Sequence, residues 1–156
     1  YKTVGACLSA FDSWLVIRGI KTLALRMEQH QKNAIALAEW LKQEPKVTKV
    51  LFPGIPEHPG YEVNKSQTTG FGGMLSFEVD SEETAKQVLE GIQLIQFAES
   101  LGGTESLLTY PVTQTHPDLK PEDAERKGIT RRLLRLSVGI EDTDDLIADL
   151  AQAFHK

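Results

Sequence analysis

The stretch Leu133–Asp145 constrains the fold more than any other in the chain. Its even positions Leu134, Leu136, Val138 and Ile140 form one apolar row of a strand, because strand side chains alternate with period two. Arg135 and Ser137 then share the opposite face. A helix opens directly afterwards, with Thr143 or Asp142 as N-cap and acidic residues in its first turn. A strand feeding straight into a helix places the chain in an α/β layer. The arginine needs an anion or a satisfied hydrogen-bond network, since a guanidinium stays charged and is costly to bury unpaired. Two readings stand for Arg135: an ion pair with a neighbouring Asp or Glu, or a grip on a ligand carboxylate through two parallel bonds.

The rest of the chain fits that layer. A length of 156 residues suits one domain with a proper core, or two small ones. The net charge of −5 argues against nucleic-acid or anionic-membrane partners, which need basic clusters. No apolar run approaches a membrane span and no signal peptide is legible. The lone Cys7 excludes an internal disulfide and suits a reducing cytoplasm; among small neighbours it reads as a buried core residue. The opening residue is Tyr1, so the chain reads as a piece of something longer.

Ser9 and Asp12 have capping-box spacing ahead of Trp14-Leu15-Val16-Ile17, a helix apolar nearly all round that should be buried against another domain or subunit. Gly19 is expected to interrupt it. A longer helix is expected from about Thr22 to Glu44, with Leu23, Met27, Ala34, Leu37, Ala38 and Leu41 on one face and His30 on the same stripe as a satisfied core residue. Val47–Phe52 reads as a strand and residues 53–72 as loop, where His58 lacks a second ligand at metal spacing. The run Gly70-Phe71-Gly72-Gly73 is no phosphate loop, because no Lys-Ser/Thr and no helix follow. It leads into a strand over Met74–Val79, then a helix capped by Asp80 or Ser81 that buries Ala85, Val88, Leu89 and Ile92. Leu94–Ala98 is a return strand delivering Glu99–Ser106, which reads either as a binding loop or as plain turn chemistry. Residues 109–120 read as loop, Pro121 opens a short helix, and the last helix buries Leu146, Ile147, Leu150, Ala151 and Phe154.

Three segments taken together carry a resemblance. They are Leu8-Ser9-Ala10-Phe11-Asp12-Ser13-Trp14 running on to Arg18–Leu23 and Arg26-Met27; Ala98–Leu107; and Arg135–Asp142 with Asp145-Leu146-Ile147. In order and spacing they resemble the C-terminal domain of the Cys/Met-metabolism PLP-dependent enzymes, the cystathionine γ-synthase, cystathionine γ- and β-lyase and methionine γ-lyase group. The resemblance covers essentially the whole chain. It implies the small C-terminal domain of a fold-type-I PLP enzyme: a mostly antiparallel or mixed sheet of about four strands packed with amphipathic helices. Residues 1–21 would bridge to a large cofactor domain lying outside this sequence, and residues 22–156 would form the substrate-binding domain.

By the same resemblance Arg135 would hold the substrate α-carboxylate, Ser100 would line that pocket, and Glu99 would sit at its mouth facing the distal ammonium of cystathionine. Thr115 matches a Thr-His pair near the substrate, although Pro117-Asp118 stands where Ala-Ser is common, and Ala10 replaces a usual proline. No catalytic, cofactor-holding or metal-ligating residue is assigned here, because no lysine lies in a Schiff-base motif. Pyridoxal 5′-phosphate would be bound by the N-terminal part, the fragment would be inactive alone, and the whole enzyme would be a cytoplasmic homo-oligomer, a tetramer in the family. The other reading is a stand-alone α/β binding or interaction module without PLP chemistry.

Overall fold

The computed structural model describes residue 5 and residues 7–156. The element order is α1 (Ala10–Ile20), α2 (Leu23–Leu41), β1 (Val47–Leu51), α3 (Tyr61–Gln67), β2 (Met74–Val79), α4 (Glu82–Gly91), β3 (Gln96–Phe97), β4 (Leu107–Thr109), α5 (Pro121–Arg126), β5 (Leu133–Ser137) and α6 (Thr143–Phe154). The five strands form one mixed sheet in the order β1-β2-β5-β4-β3. Only β3 and β4 run parallel among these pairs. The expected α/β layer with a mostly antiparallel or mixed sheet is therefore present, with one strand more than the alternation revealed.

Register sorts the two sheet faces. Leu75 lies opposite Leu136, Phe77 opposite Leu134, and Leu108 opposite Leu136, so these residues share one face. All are buried, and they meet Leu37, Ala38 and Leu41 of α2, Ala85 and Val88 of α4, and Leu146, Leu150 and Phe154 of α6 in a single core. Phe154 packs its ring 6.3 Å from that of Phe77. Helices α4 and α6 approach closely at Gly91, where a Cβ would lie 2.8 Å from Ala153 Cα. On the other face, Ser76, Arg135 and Thr109 lie side by side across β2, β5 and β4, and Met74, Ser137 and Leu107 form the next row.

Helix ends follow local chemistry. Ser9 accepts from the Asp12 amide and Ser81 from the Thr84 amide, and Asp142 accepts from the Asp144 and Asp145 amides. Each satisfies amides that have no partner within the helix.

Several expectations are corrected. Cys7 is exposed rather than buried; small neighbours mark a core only where an element packs over them. Gly19 lies inside α1, which runs on to Ile20. Leu23 and Met27 are exposed, as only the part of α2 from His30 onward packs on the core. Ile140 is also exposed, because β5 ends at Ser137 and the apolar row stays buried only as far as Val138. The supposed loop 53–72 contains α3, and the return strand Leu94–Ala98 shrinks to two residues. Helix α1 has no buried residue.

Candidate functional site

Arg135 sits at the middle of β5, half-buried, between Ser76 on β2 and Thr109 on β4. Its Nη2 donates to Thr109 Oγ1 at 3.2 Å and to the Ser100 carbonyl oxygen at 3.4 Å. Its Nε is buried with no hydrogen-bond partner. Among the described residues no carboxylate lies within ion-pair distance of the guanidinium. The ion-pair reading of Arg135 therefore finds no support: both acceptors are neutral, and one buried N–H is left over. A buried donor without a protein acceptor is uncommon in a folded chain.

The segment after β3 lies over this face and is fastened to it repeatedly. The Gly102 amide donates to Ser137 Oγ at 2.9 Å, and the Ile140 amide donates to the Thr104 carbonyl at 2.9 Å. Glu141 accepts the Ser106 amide at 2.6 Å and the Ser106 hydroxyl at 2.9 Å, while Ser106 Oγ accepts the Gly139 amide at 2.8 Å. A Cβ at Gly139 would run into Glu141 Oε2 and the Thr104 carbonyl oxygen, so this crossing requires glycine. Helix α2 braces the same corner from behind. Asn33 Nδ2 donates to the carbonyls of Gly139 at 3.1 Å and Glu141 at 2.8 Å, and Thr143 Oγ1 donates to Asn33 Oδ1 at 2.7 Å. His30 Nδ1 meets the Val138 carbonyl at 2.6 Å and must be the donor, since a carbonyl only accepts. His30 is the satisfied core residue its position on the stripe implied.

Of the expected site residues, the structure joins Arg135 to Ser100, through the serine carbonyl rather than its hydroxyl. Glu99 precedes Ser100 and is exposed. Thr115 stays within its own turn, bonded to the Pro111 carbonyl at 3.3 Å and to His116 Nδ1 at 2.7 Å. Three residues escaped the sequence reading as parts of the site: Thr109, Ser137 and Glu141. Ser137 was visible as the face-mate of Arg135, but Thr109 fell in a supposed loop and Glu141 carries no local signature. Beside Ser137 lies a cavity of about 270 Å³ lined by Met27, His30, Met74, Leu101 and Gly102 among others.

Neither the N-termini of α4 and α6 nor the lysines among the described residues form a cradle for a phosphorylated cofactor. The N-termini of α4 and α6 carry Glu82, Glu83, Asp144 and Asp145, which repel a phosphate where a helix would otherwise attract one. Every described lysine is exposed except Lys46, whose ammonium donates to the Phe154 carbonyl at 2.6 Å. None is placed to form a buried Schiff base. Among the described residues there is also no cluster of metal-ligating side chains, and no helix long and apolar enough to cross a membrane.

Residues 1–155 match the family model of the Cys/Met metabolism PLP-dependent enzymes. The chain belongs to that family. It is 55% identical over 150 residues to the cystathionine gamma-synthase of Haemophilus influenzae, covering 96% of this chain and 36% of that protein. It is 49% identical over 149 residues to the cystathionine beta-lyase of Bacillus subtilis, covering 96% of this chain and 38% of that protein. A crystal structure of a putative O-acetylhomoserine (thiol)-lyase from Campylobacter jejuni, holding a pyridoxyl-lysine monophosphate group, superposes with a TM-score of 0.94 at 36% identity. That match covers 99% of this chain and 37% of the other. The chain thus spans about two fifths of the length of its curated relatives or less. The family is one of PLP-dependent enzymes, and the relatives' names span synthases and lyases alike.

Proposed function

We propose that this chain is the substrate-carboxylate-binding portion of a PLP-dependent transsulfuration-type enzyme, acting by elimination or replacement at Cβ or Cγ of sulfur amino acids or homoserine esters. The observation that supports it most is the state of Arg135: a permanent cation with neutral acceptors on Nη2 and a buried Nε lacking any acceptor. A carboxylate supplies the missing charge and acceptors together, through charge-assisted bonds about twice as strong as neutral ones.

In this reading Arg135 orients the substrate by its α-carboxylate, and Ser100 and the segment around it close the pocket beside the guanidinium. Glu99, exposed next to Ser100, meets a distal ammonium when the substrate carries one, and Thr115 lines the approach. PLP, when bound, supplies the electron sink for chemistry at the substrate α-carbon. The lysine and the ring-stacking groups that hold it lie outside this sequence, so the chain alone is inactive. The exposed apolar face of α1, with Phe11, Trp14, Leu15 and Ile17, is covered by the cofactor-carrying part of the same cytoplasmic homo-oligomer, a tetramer.

The test uses the full-length protein. Intact mass well above 17.3 kDa together with the visible absorbance of bound PLP is expected. Arg135→Ala should lower kcat/KM for an amino-acid substrate by about 10²–10³-fold, the effect of removing one member of a desolvated charge pair, while PLP occupancy is retained. Loss of PLP with unchanged substrate dependence would refute the assignment. A parent protein of 17.3 kDa without that absorbance would favour the stand-alone binding module instead.

A further inference from the structure

We infer that Thr109 is a positioning residue for Arg135, fixing the guanidinium in the pose that receives the substrate carboxylate. The inference rests on the carboxylate-binding reading of Arg135 and adds a residue to it. Thr109 is fully buried at the end of β4, directly opposite Arg135 in the antiparallel register. Its hydroxyl has a single proton, and that proton is committed to the Ala98 carbonyl oxygen at 2.9 Å. The oxygen can therefore only accept toward Arg135, and it takes an Nη2 proton at 3.2 Å. Ala98 is in turn held by β4, its amide donating to the Leu108 carbonyl at 3.2 Å. The direction of the Arg135 bond is thus set by backbone geometry through one rigid, β-branched side chain.

Nη2 makes only one other contact, the longer one to the Ser100 carbonyl, and no described residue accepts from Nε or Nη1. Thr109 consequently restrains the rotation of the guanidinium plane while leaving the rest of the fork for a ligand. Arginine has considerable side-chain freedom to lose on binding, and a fork already held in place loses less of it. Without the hydroxyl the cation remains but its orientation is no longer enforced. The expected defect is weaker carboxylate recognition with the chemical step intact.

The experiment measures dissociation constants of glycine and methylamine by the visible absorbance of the full-length holoenzyme. Glycine has the α-carboxylate and no leaving group; methylamine lacks the carboxylate, so the ratio of the two constants isolates its recognition. Thr109→Val, of nearly the same shape, should shrink that ratio about tenfold, and Thr109→Ser, which keeps the hydroxyl, should restore it. In an Arg135→Ala background, Thr109→Val should have no further effect on the ratio. A ratio unchanged by Thr109→Val, with only the melting temperature lowered, overturns the inference while a collapse in Arg135→Ala leaves the carboxylate reading standing. If Arg135→Ala itself leaves the ratio at the wild-type value, the carboxylate reading fails and the role of Thr109 with it. Should Thr109→Val not accumulate as folded protein, Thr109→Ala is measured by the same ratio.

Discussion

Glu141 offers a perturbation whose size can be worked from geometry. Its two carboxylate oxygens accept the amide and the hydroxyl of Ser106, a residue with no exposed surface. Glu141→Ala removes both acceptors and strands the Ser106 amide where water does not reach it. Bonds to charged groups contribute about 1.5–3 kcal/mol each, and an unmet buried donor is itself costly, so a loss of about 3–5 kcal/mol is expected. Glu141→Gln keeps one oxygen for the Ser106 amide. Its new NH₂ faces the hydroxyl, which can accept it alongside the Gly139 amide. That variant should lose only about 1–2 kcal/mol, the difference between a charge-assisted and a neutral bond. Urea unfolding gives the stabilities, and hydrogen exchange resolved over residues 99–106 gives the local effect, with protection falling sharply for Ala and slightly for Gln. Equal losses for the two variants, or unchanged exchange over the segment, would refute the hydrogen-bond argument.

Asp149 is buried and accepts the amides of Gln93, Leu94 and Ile95 at 2.8, 3.0 and 2.8 Å. Asp149→Asn turns one oxygen into a donor facing donors, which should cost about 2–3 kcal/mol and lower the melting temperature by roughly 4–10 °C; a shift under about 1 °C would contradict it. At the surface, hydrogen bonding from Lys86, reinforced by Arg131, holds the Glu82 carboxyl below its ordinary value of 4.5. A depressed pKa contributes stability that is present above 4.5 and fades as pH falls through the folded-state value. Glu82→Gln should therefore flatten the acid limb of the stability–pH curve below that point, and curves parallel to wild type there would disprove the linkage.

The strand-to-helix unit around Arg135 was legible because period two and an N-cap are local signals, and the structure keeps Arg135 and Ser137 on one face as read. The core stripes of α4 and α6, and that of α2 from Ala34 onward, were legible for the same reason. What could not be read was everything set by contacts distant in sequence. Leu107–Thr109 is too short to display alternation, so its role as the strand beside Arg135 appears only in the pairing. Glu141 lies 35 residues from Ser106 and looks like an ordinary acidic residue before a helix. Helix α3 hides among Pro53, Pro56, Pro59 and Gly60, which punctuate the chain more strongly than one short helix can offset. Family resemblance placed Ser100 and Arg135 near one another before either was seen, but not the serine carbonyl as the contact.

The attachment of residues 98–106 has a regularity with consequences for how this site can vary. Ala98, Ser100, Gly102, Thr104 and Ser106 are tied respectively to Thr109, Arg135, Ser137, Ile140 and Glu141. Every second residue is a fastening, as in a zip, so one inserted or deleted residue would set the wrong group against every fastening beyond it. Surface loops ordinarily tolerate changes of length. This one is held to its length, and divergence along it has to come by exchange of the side chains between the fastenings, at Glu99, Leu101 and Glu105.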